Sequence, residues 1–377
     1  MFGRRMKLFK LFGFEVKIDL SWLVIAVLVT WSLAKGAFPA WYPNLSPMTY
    51  WTMGVVGALG LFISIVAHEF CHSLVARKFG MQMKGITLFI FGGVAEMGDE
   101  PPSARAEFMM AIAVPLSSLA IGGVFYLVYR GGEAGGWSTP VNAVTYYLFY
   151  INFILAAFNL LPAVPLDGGR VLRAILWGAK GNLRWATRVS STIGSAFGLG
   201  LIFLGILRFV SGEVIGGVWM FLIGLFLRNA AQMSYQQLLV RKALEGEPVR
   251  RFMNADPVTV QSSFTVEKLV EDYIYKYHHK MFPVMEGEKL VGCITTRQVK
   301  EIPREDWARE TIREAASPCS AENTISPSTD AVKALAMMNQ GGVGRLLVVE
   351  GGRLVGLVTL KDLLDFFSLK VELEEQD

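Results

Sequence analysis

The sequence predicts an α-helical polytopic membrane bundle of six transmembrane helices with a small membrane-associated β element, followed by a soluble α/β tail built from two copies of one module. Three observations predict it. Apolar residues crowd into the part before about residue 235, Lys and Arg collect in alternate connecting loops, and residues 250–377 contain an internal repeat. Over 377 residues, hydrophobic side chains make up 53% and charged ones 18%, whereas an ordinary soluble chain is about a quarter charged. The net charge of +4 sits mainly in short loops beside apolar stretches. It therefore reads as a topology signal, and no nucleic-acid partner is expected. Cys71, Cys293 and Cys319 lie far apart, which argues against a disulfide framework.

A membrane-crossing helix needs about 20 mostly apolar residues. Six stretches qualify: 20–38, 51–77, 106–129, 142–162, 192–210 and 214–232. The basic start is followed by an apolar span without a small-residue cleavage site, so a retained first helix is expected. Between them, Met6 to Asp19 reads as an interfacial strand or an amphipathic segment. Positive charge fixes the orientation. Arg4, Arg5, Lys7, Lys10 and Lys17 precede the first span, Arg77 and Lys78 close the second, and Arg170, Arg173, Lys180, Arg184 and Arg188 follow the fourth. The opposite side shows only Lys35, Arg130 and Arg208 near span ends. The N-terminus is thus expected in the cytoplasm, and an even number of spans returns the tail there.

Inside the second span stands His68-Glu69-Phe70-Cys71-His72. This H-E-x-x-H spacing puts two imidazoles on one helix face to share a metal, with Glu69 beside them as general base. The chain has four histidines and half of them are here. Ionisable side chains at membrane depth are costly and mark function. A hydrolytic zinc takes three protein ligands and keeps one position open. Asp167 is the best candidate for the third, in Asn159-Leu-Leu-Pro162-Ala-Val-Pro165-Leu-Asp167-Gly168-Gly169 at the end of the fourth span. The prolines break the helix, which at this depth requires a neighbouring protein surface or a watery cavity.

These two motifs, in this order and on separate spans, resemble the site-2 proteases, the family of intramembrane zinc metalloproteases. The resemblance covers residues 10–235 and matches the compact branch of the family. It implies one Zn²⁺ per chain on His68, His72 and Asp167, with Glu69 as catalytic base. It implies a catalytic role for Asn159 as oxyanion donor or substrate clamp, although an interior Asn can equally bond a neighbouring helix. The substrate would be a membrane-embedded, single-span protein, such as a signalling or transcription-factor precursor or an anti-sigma type protein. The expected location is the plasma membrane of a prokaryote. One departure is Val114 before Pro115, where the family commonly has glycine. Between the second and third spans, Lys84 to Met97 reads as β-rich with a turn at Gly92-Gly93. An edge strand there could hold an unwound substrate by strand addition, as loops of the family are thought to do.

The tail repeats a strand-helix-strand-strand-helix order, with Leu290-Val291-Gly292-Cys293-Ile294-Thr295 answered by Leu354-Val355-Gly356-Leu357-Val358-Thr359. This resembles a pair of CBS domains, about 250–312 and 313–377, joined to the bundle (1–238) by a linker at 239–249. The family often binds adenine nucleotides, with a Thr and an Asp three residues on holding the ribose. Thr359 and Asp362 keep that pair, whereas Thr295 is followed by Gln298, so at most one site for ATP or another adenine nucleotide is expected. Asp362 could instead cap a helix. His278 and His279 read as surface or packing residues. CBS pairs frequently dimerise, so a homodimer is expected. A CBS-gated metal transporter is the rival reading, but ionisable groups cluster at one place and are not spaced across the membrane.

Overall fold

The computed structural model describes residues 6–374 apart from 12, 82, 90–91 and 98–99. Arg4 and Arg5 therefore lie outside the described residues. Two compact units emerge, Met1–Gln236 and Gln237–Asp377.

In the first unit each long apolar stretch becomes a helix, because a backbone in hydrocarbon must satisfy its polar groups within its own segment. Helix α1 (Ser21–Ser32) runs through a wide turn at Leu33–Ala37 into α2 (Phe38–Trp41). Ser46 caps α3 (Pro47–Lys78), its hydroxyl accepting from the Thr49 amide at 3.1 Å, and Pro47 follows at the first helical position. Ser103 likewise caps α4 (Ala104–Ala134), which carries Pro115 inside it. After α5 (Thr139–Asn159) a short turn leads to α6 (Asp167–Lys180), which stops at the left-handed Gly181. Helices α7 (Leu183–Val210) and α8 (Val214–Leu244) close the series. Among the described residues, five helical stretches are long and apolar enough to cross a membrane: Ser21–Trp41, α3, α4, α5 and α7.

A mixed sheet accompanies them in the order β1-β2-β3-β4. Strands β1 (Met6–Leu11) and β2 (Phe14–Ile18) are antiparallel, β2 runs parallel to β3 (Met83–Phe89), and β3 turns back into β4 (Gly92–Met97). Phe14 anchors β2 on α3, meeting the Phe70 ring edge-on at 5.8 Å with the Arg77 guanidinium over its own ring.

The second unit shows the repeat in its hydrogen-bond register. The first copy holds β5 (Val260–Gln261), a helical stretch from α9 (Val266–Lys268) through Leu269–Ile274 to α10 (Tyr275–Tyr277), β6 (Met281–Glu286), β7 (Lys289–Thr295) and α11 (Thr296–Glu301). After α12 (Ile312–Ala315) and β8 (Ser317–Pro318), the second holds β9 (Thr324–Ile325), α13 (Ala331–Gly341), β10 (Arg345–Glu350), β11 (Arg353–Thr359) and α14 (Leu360–Glu374). Met281 pairs with Thr295 as Arg345 pairs with Thr359, and each hairpin has a register shift, at Val284/Met285 and at Val348/Val349. The two cores exchange their entering segments. Leu244, Val249 and Phe252 pack with Leu346 and Val358 of the second copy, while Ile312 packs with Val260 and Phe282 of the first.

Candidate metal centre

Helix α3 carries the two histidines because His68 and His72 are one turn apart, so their rings share a face with Ser64 and the small Ser73 beside it. All four are buried. The rings lie edge to face with centroids 5.9 Å apart. Asp167 arrives from a different element, as the first residue of α6. Its Oδ1 is 2.9 Å from His72 Nε2 and its Oδ2 is 3.3 Å from His68 Nε2. One ligand atom from each of the three residues lies within 4.8 Å of the others, and all three residues are buried. The sequence separates Asp167 from the pair by about 100 positions; the fold brings it to them.

The loop that delivers Asp167 is held by close backbone contact. A Cβ on Gly169 would stand 2.2 Å from the Val164 nitrogen, and one on Gly194 of α7 would stand 2.3 Å from the Val164 oxygen. Side chains cannot be accommodated at either position, so the turn from Leu160 to Leu166 is pressed between α6 and α7.

A residue that motif reading missed orients the first histidine. Ser118 of α4 is fully buried, and its Oγ lies 2.8 Å from His68 Nδ1. Occupying Nδ1 from behind leaves Nε2 as the nitrogen that faces Asp167. No spacing rule could have selected this serine, which is 50 residues from its partner. Nearby, Asn152 of α5 donates to Ser64 Oγ at 2.9 Å, tying a third helix to the histidine-bearing face. Val114 is fully buried in α4 one turn before Ser118.

Glu69 follows His68 on α3 and is half-buried. Asn159, the last residue of α5, donates from Nδ2 to the Leu155 carbonyl of its own helix at 2.9 Å. In the tail, Thr359 and Asp362 form a helix cap. Asp362 Oδ2 accepts from both the Thr359 amide and its hydroxyl at 2.8 Å. Thr295 and Gln298 make the same arrangement in the first copy, at 2.8 Å and 2.7 Å through Gln298 Oε1.

A buried set of two imidazole nitrogens and a carboxylate, converging from two elements, suits a divalent cation of intermediate softness such as zinc, with a position left for a reactant. The protein called Rip3 of Mycobacterium tuberculosis is 34% identical over 364 residues, spanning 95% of this chain and 92% of that one. The model of peptidase family M50 matches residues 56–135 and 135–205. The chain belongs to peptidase family M50. Its tail matches the CBS domain model twice, at 249–305 and 319–369. The zinc metalloprotease MJ0392 of Methanocaldococcus jannaschii is 30% identical, spanning 98% of both chains. Among solved structures, the site-2 protease from the same archaeon is similar at 30% identity with a TM-score of 0.45, covering 62% of this chain and 95% of that one. This M50 chain is therefore a multi-pass membrane metalloprotease fused to a CBS pair, and it holds a buried His-His-Asp cluster.

Proposed function

We propose that this M50 chain is an intramembrane zinc endopeptidase that cuts a membrane-tethered, single-span protein within or near its transmembrane segment. The observation that carries this is the buried convergence of His68, His72 and Asp167, with Glu69 next to His68 on α3. One Zn²⁺ per chain would be held by the two Nε2 atoms and the Asp167 carboxylate. When bound, the metal supplies Lewis acidity that polarises the scissile carbonyl and acidifies water. The residues do the rest. Glu69 takes a proton from the attacking water and returns it to the departing amine. Ser118 keeps His68 in the tautomer that presents Nε2. Asn159, by turning from its own helix, would clamp the substrate or face the developing oxyanion.

Strand β4 ends the sheet order, and Gly92-Gly93 begins it at the hairpin with β3. Its outer edge suits addition of an unwound substrate strand, since a helical peptide bond is shielded by its own hydrogen bonds. Helix α8 serves as the sixth span. A Cβ on Gly205 of α7 or Gly217 of α8 would stand 2.7 Å from the other's carbonyl, which is the close approach small residues allow between membrane helices. With positive charge flanking one side, the N-terminus and CBS pair face the cytoplasm. The working division is a protease module at 1–238, a connection at 239–249 and tandem CBS modules at 250–312 and 313–377. The pair responds to ATP or another adenine nucleotide at Thr359 and Asp362 and joins two chains as a homodimer. Nucleotide binding there would draw the Asp362 carboxylate out of its cap.

The test is metal content by mass spectrometry on the purified full chain, with cleavage of a generic single-span substrate measured in parallel. Wild type and Glu69→Gln are expected to carry one zinc, Asp167→Ala to lose it, and only wild type to cut, with the Glu69→Gln rate down on the order of 10³-fold. Wild type without zinc would overturn the assignment.

A further inference from the structure

Helix α6 brings Asp167 to the histidines, and close backbone packing at Gly168 and Gly169 seats its first turn without a side-chain cap. Its N-cap, Leu166, offers no side-chain hydrogen bond, and the turn before it contains two prolines. Two turns beyond Asp167, Arg173 is buried, and its guanidinium reaches across to Glu107 of α4, which is fully buried. Arg173 Nε donates to Glu107 Oε1 at 2.6 Å and Nη2 contacts the same oxygen. Arg170, between Asp167 and Arg173 on α6, has its Nε 3.9 Å from that oxygen, and Glu100 Oε2 lies 3.5 Å from Arg173 Nη2. Two arginines of α6 thus meet two glutamates at the entry to α4.

A buried ion pair gives little net stability over a well-packed apolar pair, because desolvating both charges offsets their attraction. Its distinctive property is intolerance of misregister: sliding or rotating α6 by one residue would strand a buried guanidinium. Helix α4 contributes no candidate ligand, but it holds both ligand-bearing elements, His68 through Ser118 and α6 through Glu107. Glu107 lies eleven residues before Ser118, about 16 Å along a helix, so both contacts are made from one helix.

We propose that Glu107 and Arg173 are positioning residues that index α6 so that Asp167 completes the metal site. The inference rests on the zinc assignment made above. Neither side chain touches the ligand atoms, and their effect is expected in metal affinity, not only in folding.

The experiment measures zinc affinity by chelator competition on the full chain in nanodiscs, the absorption spectrum after cobalt substitution, and the melting temperature of metal-stripped protein. Arg173→Lys keeps the charge but loses the fork; Glu107→Met with Arg173→Met removes both charges at similar volume. The double variant is expected to melt near wild type while binding zinc on the order of 10–100-fold more weakly, with an altered cobalt spectrum. Arg173→Lys is expected to fall between. Zinc affinity within twofold of wild type in either variant, or a lowered melting temperature with an unchanged cobalt spectrum, would overturn the proposal. Failure of wild type itself to bind zinc would instead overturn the metal assignment. If the double variant does not fold, Arg173→Lys alone decides.

Discussion

The two units differ in the polar side chains they bury beside their apolar cores. In the M50 unit the interior holds Ser64, His68, His72, Ser73, Glu107, Ser118, Asn152, Asp167 and Arg173, among others, while in the CBS unit Ser262 is the one buried polar residue among those described. The CBS cores are aliphatic and aromatic, and their charged residues stay at the rim. A lipid-facing bundle cannot draw stability from hiding apolar groups from water, so polar contacts and close packing specify its helix pairs. A water-exposed tail can, and needs few such contacts. The M50 unit should therefore respond to single changes by losing its site, and the CBS unit by losing modest stability.

The sharpest break should come at Gly194. Adding one methyl in Gly194→Ala drives into the Val164 carbonyl and is expected to cost about 3 kcal/mol, read as a lowered melting temperature together with loss of zinc. A variant that melts and binds zinc like wild type would show that the turn before Asp167 yields easily. Ser118→Ala comes next. Removing the partner of His68 Nδ1 should weaken zinc about tenfold, measured by chelator competition, with little effect on expression.

Changes in the tail should be smaller. Asp362→Ala removes the acceptor that caps α14 and is expected to lower stability by about 1 kcal/mol in urea unfolding of the tail's signal, with zinc content unaltered. Loss of zinc in this variant would contradict the contrast between the units. The smallest effect should follow Glu350→Gln, which breaks the exposed pair with Arg250, 2.9 Å apart. An exposed pair contributes about 0.5 kcal/mol or less, so its melting curve should nearly overlay that of wild type, more closely still at high salt.

Much of the M50 centre was legible because its signals are local. His68 and His72 are four residues apart, and Asp167 stands in a Pro- and Gly-marked turn that only a special environment tolerates at membrane depth. The apolar stretches, five of them in helices long and apolar enough to cross a membrane among the described residues, and the doubled module in the tail were equally plain, since both depend on composition and period. A capping role is one of the two readings that the sequence offers for Asp362, and its carboxylate does accept from the Thr359 amide and hydroxyl at the start of α14. By contrast, Ser118 and Glu107 belong to no motif in the sequence, and Arg173 reads there as a topology signal. Their partners are 50 and 66 residues away. The entering segments of the tail were also unreadable as to destination, since Val249 and Phe252 join the copy that follows them late in the chain.

By itself, then, the sequence determined where the long apolar stretches lie, which side chains could ligate a metal and that two CBS copies follow. Backbone hydrogen bonding within a span and burial of one face act over a few residues, and a sequence displays them directly. The tertiary structure alone decided which serine stands behind His68, which glutamate grips α6 and which core receives Leu244. Those pairings depend on how close two backbones can come, and that is set by packing across the whole unit.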